Sequence, residues 1–313
     1  ELSPGKPYMI NNINYEFEDT TLRDIVLNDT VNSLLTKNSL FDEDVIAKDR
    51  ERIEILLKNH GYFYFTRDFI FYNADTSVAQ RKVDIEILIR KYRVLTEEGE
   101  YLEKNHPKVK IANVYMHTEF DPRLALNSRE SYEIYLDTLS FNNVEIIFVD
   151  ELSIKPGVVV ESSYIVPDEL YNLQNVRRTY RNLSSLRIFR LVNIEFKDID
   201  SVNNEGQILL DCEIFLTPQT LQSYTVELQG TNSSGNIGAA GNFIYQHRNL
   251  FSGAESFNLS LTGALEALEE TYPSDYGYMV EFGSEVRVNI PKFFQSKKIG
   301  RMFGVFEYIA CRL

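Results

Sequence analysis

Four histidines are the side chains best suited to proton transfer or metal binding in this chain: His60, His106, His117 and His247. A metal site needs three or four converging ligands. None of the four has a Cys, Asp or Glu partner at a recognised ligand or catalytic spacing, and His117-Thr118-Glu119 comes nearest. All four are read as surface or structural residues. The two cysteines, Cys212 and Cys311, stand far apart without metal-ligand spacing, so neither a disulfide framework nor a zinc site follows. Cys212 shares the parity of Ile208, Leu210, Ile214 and Leu216, which makes it a core residue rather than a nucleophile. Gly235, Gly238 and Gly241 recur every three residues, as in a phosphate cradle. Such a cradle opens a helix, however, and here a strand pattern follows. A hairpin turn with small residues in the adjoining strand accounts for them, because a missing Cβ lets another backbone approach. No nucleophile, base and charge-stabilising group converge, so neither an enzyme nor a cofactor is expected.

Composition narrows the classes further. The 313 residues are enough for two or three domains, and 43% apolar content is that of a folded chain. With 46 acidic and 32 basic residues the formal charge is −14. Phosphate binding needs a concentrated basic face, so no nucleic-acid partner is expected. The aromatic residues are 19 Tyr and 20 Phe with no Trp, a bias that suits strands and membrane interfaces. No run of about eighteen apolar residues marks a transmembrane helix, and no charged-then-apolar leader stands at Glu1.

The elements that dominate the chain lie between Ser223 and Ile290, where apolar and polar residues alternate at almost every step. Phe257, Leu259, Leu261, Gly263 and Leu265 oppose Ser256, Asn258, Ser260, Thr262 and Glu266. Tyr278, Val280, Phe282, Val286, Val288 and Ile290 oppose Glu281, Glu285, Arg287 and Asn289. Tyr224/Val226/Leu228 and Ile237/Ala239/Phe243/Tyr245 supply two earlier runs. Period two predicts strands. Each is about ten residues long, the length a tilted strand needs to cross a bilayer. Four such strands joined by turns at Thr231–Gly235, Asn249–Ala254 and Glu269–Tyr276 predict the opening of a transmembrane β-barrel. A further turn is expected at Lys297–Gly300 and a fifth strand at Phe303–Leu313. The chain stops before such a barrel closes, and its unpaired edges are expected to aggregate without detergent.

Upstream, one element order occurs twice. Lys6–Phe17 reads as a strand, Thr21–Lys37 as a helix with Leu22, Ile25, Val26, Leu34 and Leu35 inward. A second helix is capped by Asp42, shows Ile46, Ile53, Leu56 and Leu57 on one face, and stops at Gly61. Tyr62–Phe71 is β-prone, Asn73–Ser77 a turn, and Val83, Ile85, Ile87 and Ile89 alternate as a third strand. A polar bridge, Thr96–Pro107, follows. Val109–Phe120 begins the second copy, and Asp121–Asp150 is an insertion with an apolar run at Val144–Val149. Ile154–Gly157 opens a short helix, and Asp168–Leu186 is a longer one with Leu173, Val176, Tyr180 and Leu183 inward. Strands at Ile188–Phe196 and Ile208–Leu216 flank a turn at Asp200–Gly206. Two copies of one unusual order carry more information than either alone.

These units resemble POTRA domains, and the segment after them resembles the start of the barrel in the BamA/TamA family of outer-membrane assembly proteins. His60-Gly61-Tyr62-Phe63 matches the Gly-Tyr-Phe that POTRA domains place before their second strand; Leu186-Arg187-Ile188-Phe189 occupies the same place in the second unit without the glycine. GTNSSGNIGAAGNFIYQHRNLFSGAE, Gly230–Glu255, resembles the first barrel hairpin and following periplasmic turn of Bacteroidetes members. The fold expected is α+β POTRA domains (β-α-α-β-β) followed by a truncated antiparallel transmembrane β-barrel segment. The boundaries are 1–95 and 108–217 for the two domains, with a linker at 96–107 and an insertion at about 121–150, and 218–313 for an incomplete N-terminal part of the barrel.

The resemblance implies a factor that inserts client proteins into the outer membrane, with its POTRA domains in the periplasm. An incoming strand cannot leave its N–H and C=O groups bare in lipid, so it pairs with an open edge first. The family places that edge on the first barrel strand, here Ser223, Tyr224, Thr225, Val226, Glu227, Leu228 and Gln229, one side of a lateral seam. Its POTRA units take extended clients by strand addition, which implies Tyr62, Phe63, Tyr64 and Phe65 in the first unit and Ile188, Phe189, Val192 and Ile194 in the second. The partners implied are unfolded outer-membrane proteins, the lipid bilayer, and periplasmic lipoprotein or inner-membrane proteins. The alternative is a periplasmic scaffold that recruits partner proteins, with the barrel as its anchor.

Overall fold

The computed structural model describes residues 7–79, 81–95, 99–123, 136–149, 151–233, 236–268 and 277–291. The expected strand Phe303–Leu313, the turns Lys297–Gly300 and Glu269–Tyr276, and Cys311 lie outside the described residues, as does the middle of the expected insertion.

The first copy comprises β1 (Met9–Phe17), α1 (Arg23–Asn28), a 3₁₀ turn at Thr30–Asn32, α2 (Glu43–Lys58), β2 (Ile70–Ala79) and β3 (Lys82–Ile89). Its sheet has the order β1-β3-β2, with β1 parallel and β2 antiparallel to β3. Val83, Ile85, Ile87 and Ile89 are all buried, as the alternation predicts, and pack with Ile53 and Leu57 of α2 and with Leu22, Val26 and Leu35. Helix α2 starts where the Asp42 carboxylate accepts the Asp44 N–H at 2.8 Å, and Gly61 turns the chain away at φ +96°. The helix expected over Thr21–Lys37 is broken. Buried Asp49 accepts the Leu34 N–H at 2.9 Å and the Ser33 hydroxyl at 3.2 Å, drawing that backbone out of helical register. Leu34 consequently faces solvent.

Two further expectations shift. Tyr62–Phe65 is a turn, not a strand: the Tyr62 N–H bonds the Leu57 carbonyl and the Phe65 N–H that of Tyr62, and both side chains fill the core. Burial overrides their β-propensity, and β2 begins only at Ile70. The turn expected at Asn73–Ser77 lies instead at Arg81, with φ 57°. Asn73, Ala74 and Asp75 still pair with β3, and the register shifts after Asp75, whose carboxylate accepts the Ser77 N–H and hydroxyl.

The bridge at 96–107 is flanked and partly occupied by a hairpin, β4 (Tyr92–Leu95) and β5 (Tyr101–Lys104). His106 then returns to the first copy and is buried. Asp19 accepts its backbone N–H at 2.7 Å and its ring Nδ1–H at 3.0 Å. Burial favours the neutral carboxyl, but hydrogen bonds from His106 and Thr21 prevail and hold Asp19 down to about 2. The ring packs against Phe65, Phe69 and Tyr92. His106 is a structural residue.

The second copy comprises β6 (Val109–His117), β7 (Leu136–Phe141), β8 (Val144–Val149), α3 (Pro156–Glu161), α4 (Leu173–Ser185), β9 (Phe189–Val202) and β10 (Ile208–Pro218). Its sheet has the order β7-β8-β6-β10-β9; the insertion therefore adds a hairpin, β8 running parallel to β6. Cys212 is buried with Leu210, Ile214 and Leu216. The repeat extends to fine detail. Asn38 and Asp168 both adopt φ 68°, Leu40 and Leu170 each bridge the first strand of their copy, and Asp42 and Asn172 each accept an N–H of the helix that follows. Tyr180, expected inward, is half exposed, whereas Thr179 is buried, its hydroxyl accepting the Tyr164 N–H at 2.8 Å.

The chain divides into two compact units, Glu1–Asn113 with Ile165–Arg177 and Phe196–Cys212, and Val114–Tyr164 with Arg178–Glu195 and Glu213–Leu313. Within the first, Gly61 O accepts the Val109 N–H at 2.8 Å, the Asn172 amide donates to Asn59 O at 2.9 Å, and Phe63 meets Tyr171 edge-on at 4.9 Å. In the second lies a four-stranded antiparallel sheet, β11 (Gln222–Ser233), β12 (Asn236–His247), β13 (Ser256–Leu268) and β14 (Gly277–Asn289), paired in that order. Among the described residues no helix is long and apolar enough to cross a membrane.

Candidate functional site

Strict antiparallel register sorts the β11–β14 side chains into rows. Tyr224, Tyr245, Leu259 and Val286 form one row; Val226, Phe243 and Leu261 continue into the next; Leu228, Gly241, Gly263 and Phe282 make a third; and Gly230, Ala239, Leu265 and Val280 a fourth. The other parity carries Ser223, Gln246, Asn258 and Arg287, and Glu227, Asn242 and Thr262. One face is therefore apolar and the other polar. The apolar face is bare: Val226 is 67% exposed, Leu228 87% and Phe282 81%. Burying such side chains stabilises by roughly 1.5–3 kcal/mol each, so a bare apolar face of this extent requires a covering medium.

The strands are 12, 12, 13 and 13 residues long. At ~3.3 Å per residue that is about 40 Å, or about 30 Å at a ~40° tilt, the thickness of a bilayer's hydrocarbon core. Glycine serves close packing at Gly238, where a Cβ would lie 2.8 Å from the Leu265 carbonyl oxygen.

The outer edge of β11 has no neighbour among the described residues. The Arg248 N–H donates to Leu221 O at 2.8 Å, and the register continues as Gln222 opposite His247. Odd-numbered residues of β11 thus form the hydrogen-bonded pairs with β12, and Gln222, Tyr224, Val226, Leu228, Gly230 and Asn232 turn their N–H and C=O groups outward. The residues whose side chains make the apolar face are the ones whose backbone is unpaired.

At the foot of β11 lies an open cleft of about 620 Å³, lined among others by Arg190, Thr217, Ser223, Arg248, Glu119 and Asp121. The turn after β12 is built from its own side chains. Asn249 donates to Ser153 O at 2.8 Å and accepts the Ala254 N–H at 2.9 Å; buried Glu255 accepts from Gly253 N at 2.9 Å and Phe251 N at 3.2 Å. Ser252 O accepts the Lys155 N–H at 2.8 Å, so the turn is latched to the start of α3.

Comparison with known proteins places these features beside a set of solved structures. No protein-family model matches the sequence, and no curated protein matches it. The chain is similar to the crystal structure of BamA from Haemophilus ducreyi lacking POTRA domains 1–3, at 10% identity and TM-score 0.43, over 90% of this chain and 47% of that one. BamA POTRA3–5 of Haemophilus influenzae gives 14% identity and TM-score 0.39 over 67% and 61%. CdiB from Acinetobacter baumannii gives 8% and 0.33 over 92% and 50%. The chain spans less than two thirds of each of these structures.

The sequence-derived site residues fall as follows. Ser223, Tyr224, Thr225, Val226, Glu227, Leu228 and Gln229 are consecutive on β11, with only Tyr224, Val226 and Leu228 directing backbone groups outward. Tyr62, Phe63, Tyr64 and Phe65 are not on an edge; the edge strands of the first sheet are β1 and β2, and the outward-facing residues of β2 are Ile70, Tyr72 and Ala74, as the Arg90 N–H to Phe69 O bond fixes. Ile188 precedes β9, while Phe189, Val192 and Ile194 lie on it, Phe189 and Val192 with buried side chains. β9 is an edge strand, and Leu191, Ile199 and Val202 on it are exposed. Sequence reasoning missed the Asn249 and Glu255 latch, although both residues stood in the string Gly230–Glu255. His117-Thr118-Glu119 is structural: Thr118 and Glu119 bond the β8 backbone at Ile147 and Val149.

Proposed function

We propose that this chain is part of an outer-membrane assembly factor that takes up client β-strands by adding them to the free edge of β11 and releases them laterally into the bilayer. The observation that carries the reading is the coincidence on β11 of a bare apolar face of membrane-spanning length with a row of unpaired backbone groups on the same residues. In lipid an unpaired peptide group costs several kcal/mol, so this edge requires a strand. An unfolded outer-membrane protein supplies one. The apolar face meets the bilayer and the polar face the lumen of a barrel whose N-terminal part is 218–313. The two β-α-α-β-β copies are POTRA domains, 1–95 and 108–217, joined by 96–107, the second with an insertion at about 121–150. They stand in the periplasm and offer β2 and β9 to extended clients or to lipoprotein and inner-membrane partners. Free energy comes from the client burying apolar surface and completing its hydrogen bonds, without a nucleotide.

The test is site-specific photocrosslinking of the chain in detergent micelles to an unfolded outer-membrane β-barrel protein. A photoreactive residue at Leu228 is expected to give client adducts and one at exposed Glu51 of α2 none. Equal yields from the two positions, or none from Leu228, would refute the seam.

A further inference from the structure

The cleft at the foot of β11 holds charges of both signs that do not meet. Arg190 and Arg248 line it, and so do Glu119 and Asp121, yet among the described residues no ion pair joins the two sets. Arg248 donates to the Thr220 carbonyl at 2.9 Å. Each carboxylate accepts one backbone N–H through one oxygen, Glu119 from Val149 at 3.1 Å and Asp121 from Arg123 at 2.9 Å, which leaves each a second oxygen to offer. Thr217 lines the same cleft and is almost wholly buried, with a hydroxyl that has no partner. A buried hydroxyl without a partner is uncommon and asks for a ligand atom. Two guanidiniums and two carboxylates that share a cleft and stay apart leave room for a ligand that carries both charges.

The surroundings say which ligand is met there. Ser223 lines the cleft, and Tyr224, next to it, opens the apolar row. The Tyr224 ring stacks on Tyr245 at 5.2 Å, and Tyr245 meets Phe257 edge-on at 6.2 Å. Leu250 and Phe251, in the turn that follows Arg248, are exposed. Aromatic side chains gathered at one end of a membrane-spanning sheet mark the level of the lipid headgroups. β11 has no outer neighbour among the described residues, so no strand there screens the cleft from the medium beside that edge. A cleft of about 620 Å³ lies within the ~300–1,000 Å³ of ordinary ligand pockets. The geometry points to a site for a zwitterionic phospholipid headgroup of the phosphoethanolamine type. Arg190 and Arg248 take the phosphate, whose oxygens match the guanidinium fork, with the Thr217 hydroxyl as a further donor. The primary ammonium, two carbons away, gives its N–H groups to the free oxygens of Glu119 and Asp121. The acyl chains belong on the apolar row, which selects the lipid over a soluble phosphoethanolamine. This rests on the reading of the sheet as membrane-spanning and goes further: the foot of β11 selects one headgroup.

Short-chain phosphatidylethanolamine, phosphatidylcholine and phosphatidylglycerol are titrated against the whole chain in neutral maltoside micelles, and bound lipid is counted by native mass spectrometry. Choline carries the same charge without N–H donors, and glycerol lacks the cation. One phosphatidylethanolamine is expected to bind about tenfold tighter than either, the low end of what one hydrogen bond to a charged group supplies. Glu119→Gln combined with Asp121→Asn is expected to abolish that preference, and Arg190→Gln to weaken all three lipids, since the phosphate is common to them, both at unchanged strand content by the amide I infrared band. Equal binding of the three lipids by the unaltered chain, or a preference for phosphatidylglycerol, overturns the headgroup site and leaves the membrane reading standing. Glycerophosphoethanolamine bound as tightly as the lipid overturns the lipid assignment in favour of a soluble ligand. A chain that keeps its strands but stays outside the micelles overturns the membrane reading and the site together.

Discussion

Proline placed at successive positions of β11 separates the edge of that strand from its pairing with β12. Val226 turns its N–H outward, because the hydrogen-bonded pairs with β12 fall on odd-numbered residues. Val226→Pro therefore removes one outward donor and no bond of the β11–β12 ladder, and an exposed edge is where proline is tolerated in a sheet. Glu227→Pro, one residue on, removes a donor directed at β12 opposite Asn242 and breaks the ladder, where proline is not tolerated. The cost of Val226→Pro appears only when a client strand is present, because the client carbonyl that faced the lost donor is left unpaired. An unsatisfied buried group costs about 1–3 kcal/mol, or about 5- to 150-fold in client affinity. The assay is anisotropy of a labelled alternating peptide against the chain in micelles, with strand content followed in parallel by the amide I infrared band. Val226→Pro is expected to lose affinity at unchanged strand content, and Glu227→Pro to lose strand content. Wild-type affinity in Val226→Pro, with the sheet intact, would remove β11 from the pathway.

Two other perturbations probe what holds the site in place. Asp19 has its pKa lowered from 3.8 to about 2, so its contribution is full above the unfolded value and is lost as pH falls from about 4 toward 2; the difference corresponds to about 2 kcal/mol. Asp19→Asn is expected to destabilise the first copy by about that amount at neutral pH and to flatten its acid unfolding curve, read by urea titration of circular dichroism; an unchanged curve would mean that the His106 contact carries no stability. Asn249→Ala removes the hydrogen bonds to Ser153 O and from Ala254 N–H, leaving both partners short at a cost of about 1–3 kcal/mol. Hydrogen exchange at the Ala254 amide should speed up tenfold or more, and unchanged exchange would show that the turn is held by its backbone alone.

The legibility of this fold in its sequence follows the range of the interactions involved. Period-two alternation is a local property, and it placed β3, β10 and all four strands of the β11–β14 sheet, including the parity that faces outward. The cap at Asp42 and the stop at Gly61 are equally local. The failures come from contacts that local composition and spacing do not show. Asp49 takes the Leu34 N–H from fifteen residues away and ends a helix that leucine spacing alone would continue. Tyr62 and Phe65 have the composition of a strand, yet the core between α2 and the sheet needs their volume, and the edge moves to Ile70. His106 looked like part of a solvated linker because its partner, Asp19, stands 87 residues earlier.

The proposed edge was only half legible for the same reason. Side-chain parity told which β11 residues face the apolar side, but not which turn their peptide groups outward, since that depends on a single contact, Arg248 N–H to Leu221 O, made between strands. In an antiparallel pair the two parities can coincide or oppose. Here they coincide, so a strand added at the edge would meet the Tyr224, Val226 and Leu228 backbones directly beneath the side chains of the apolar face. A one-residue slip of β11 against β12 would put the apolar row over the polar face while keeping every hydrogen bond countable. Register, fixed at one end by the Arg248–Leu221 bond and just beyond it by the Asn249–Glu255 turn, is thus what sets the apolar side chains and the outward peptide groups of β11 on the same residues.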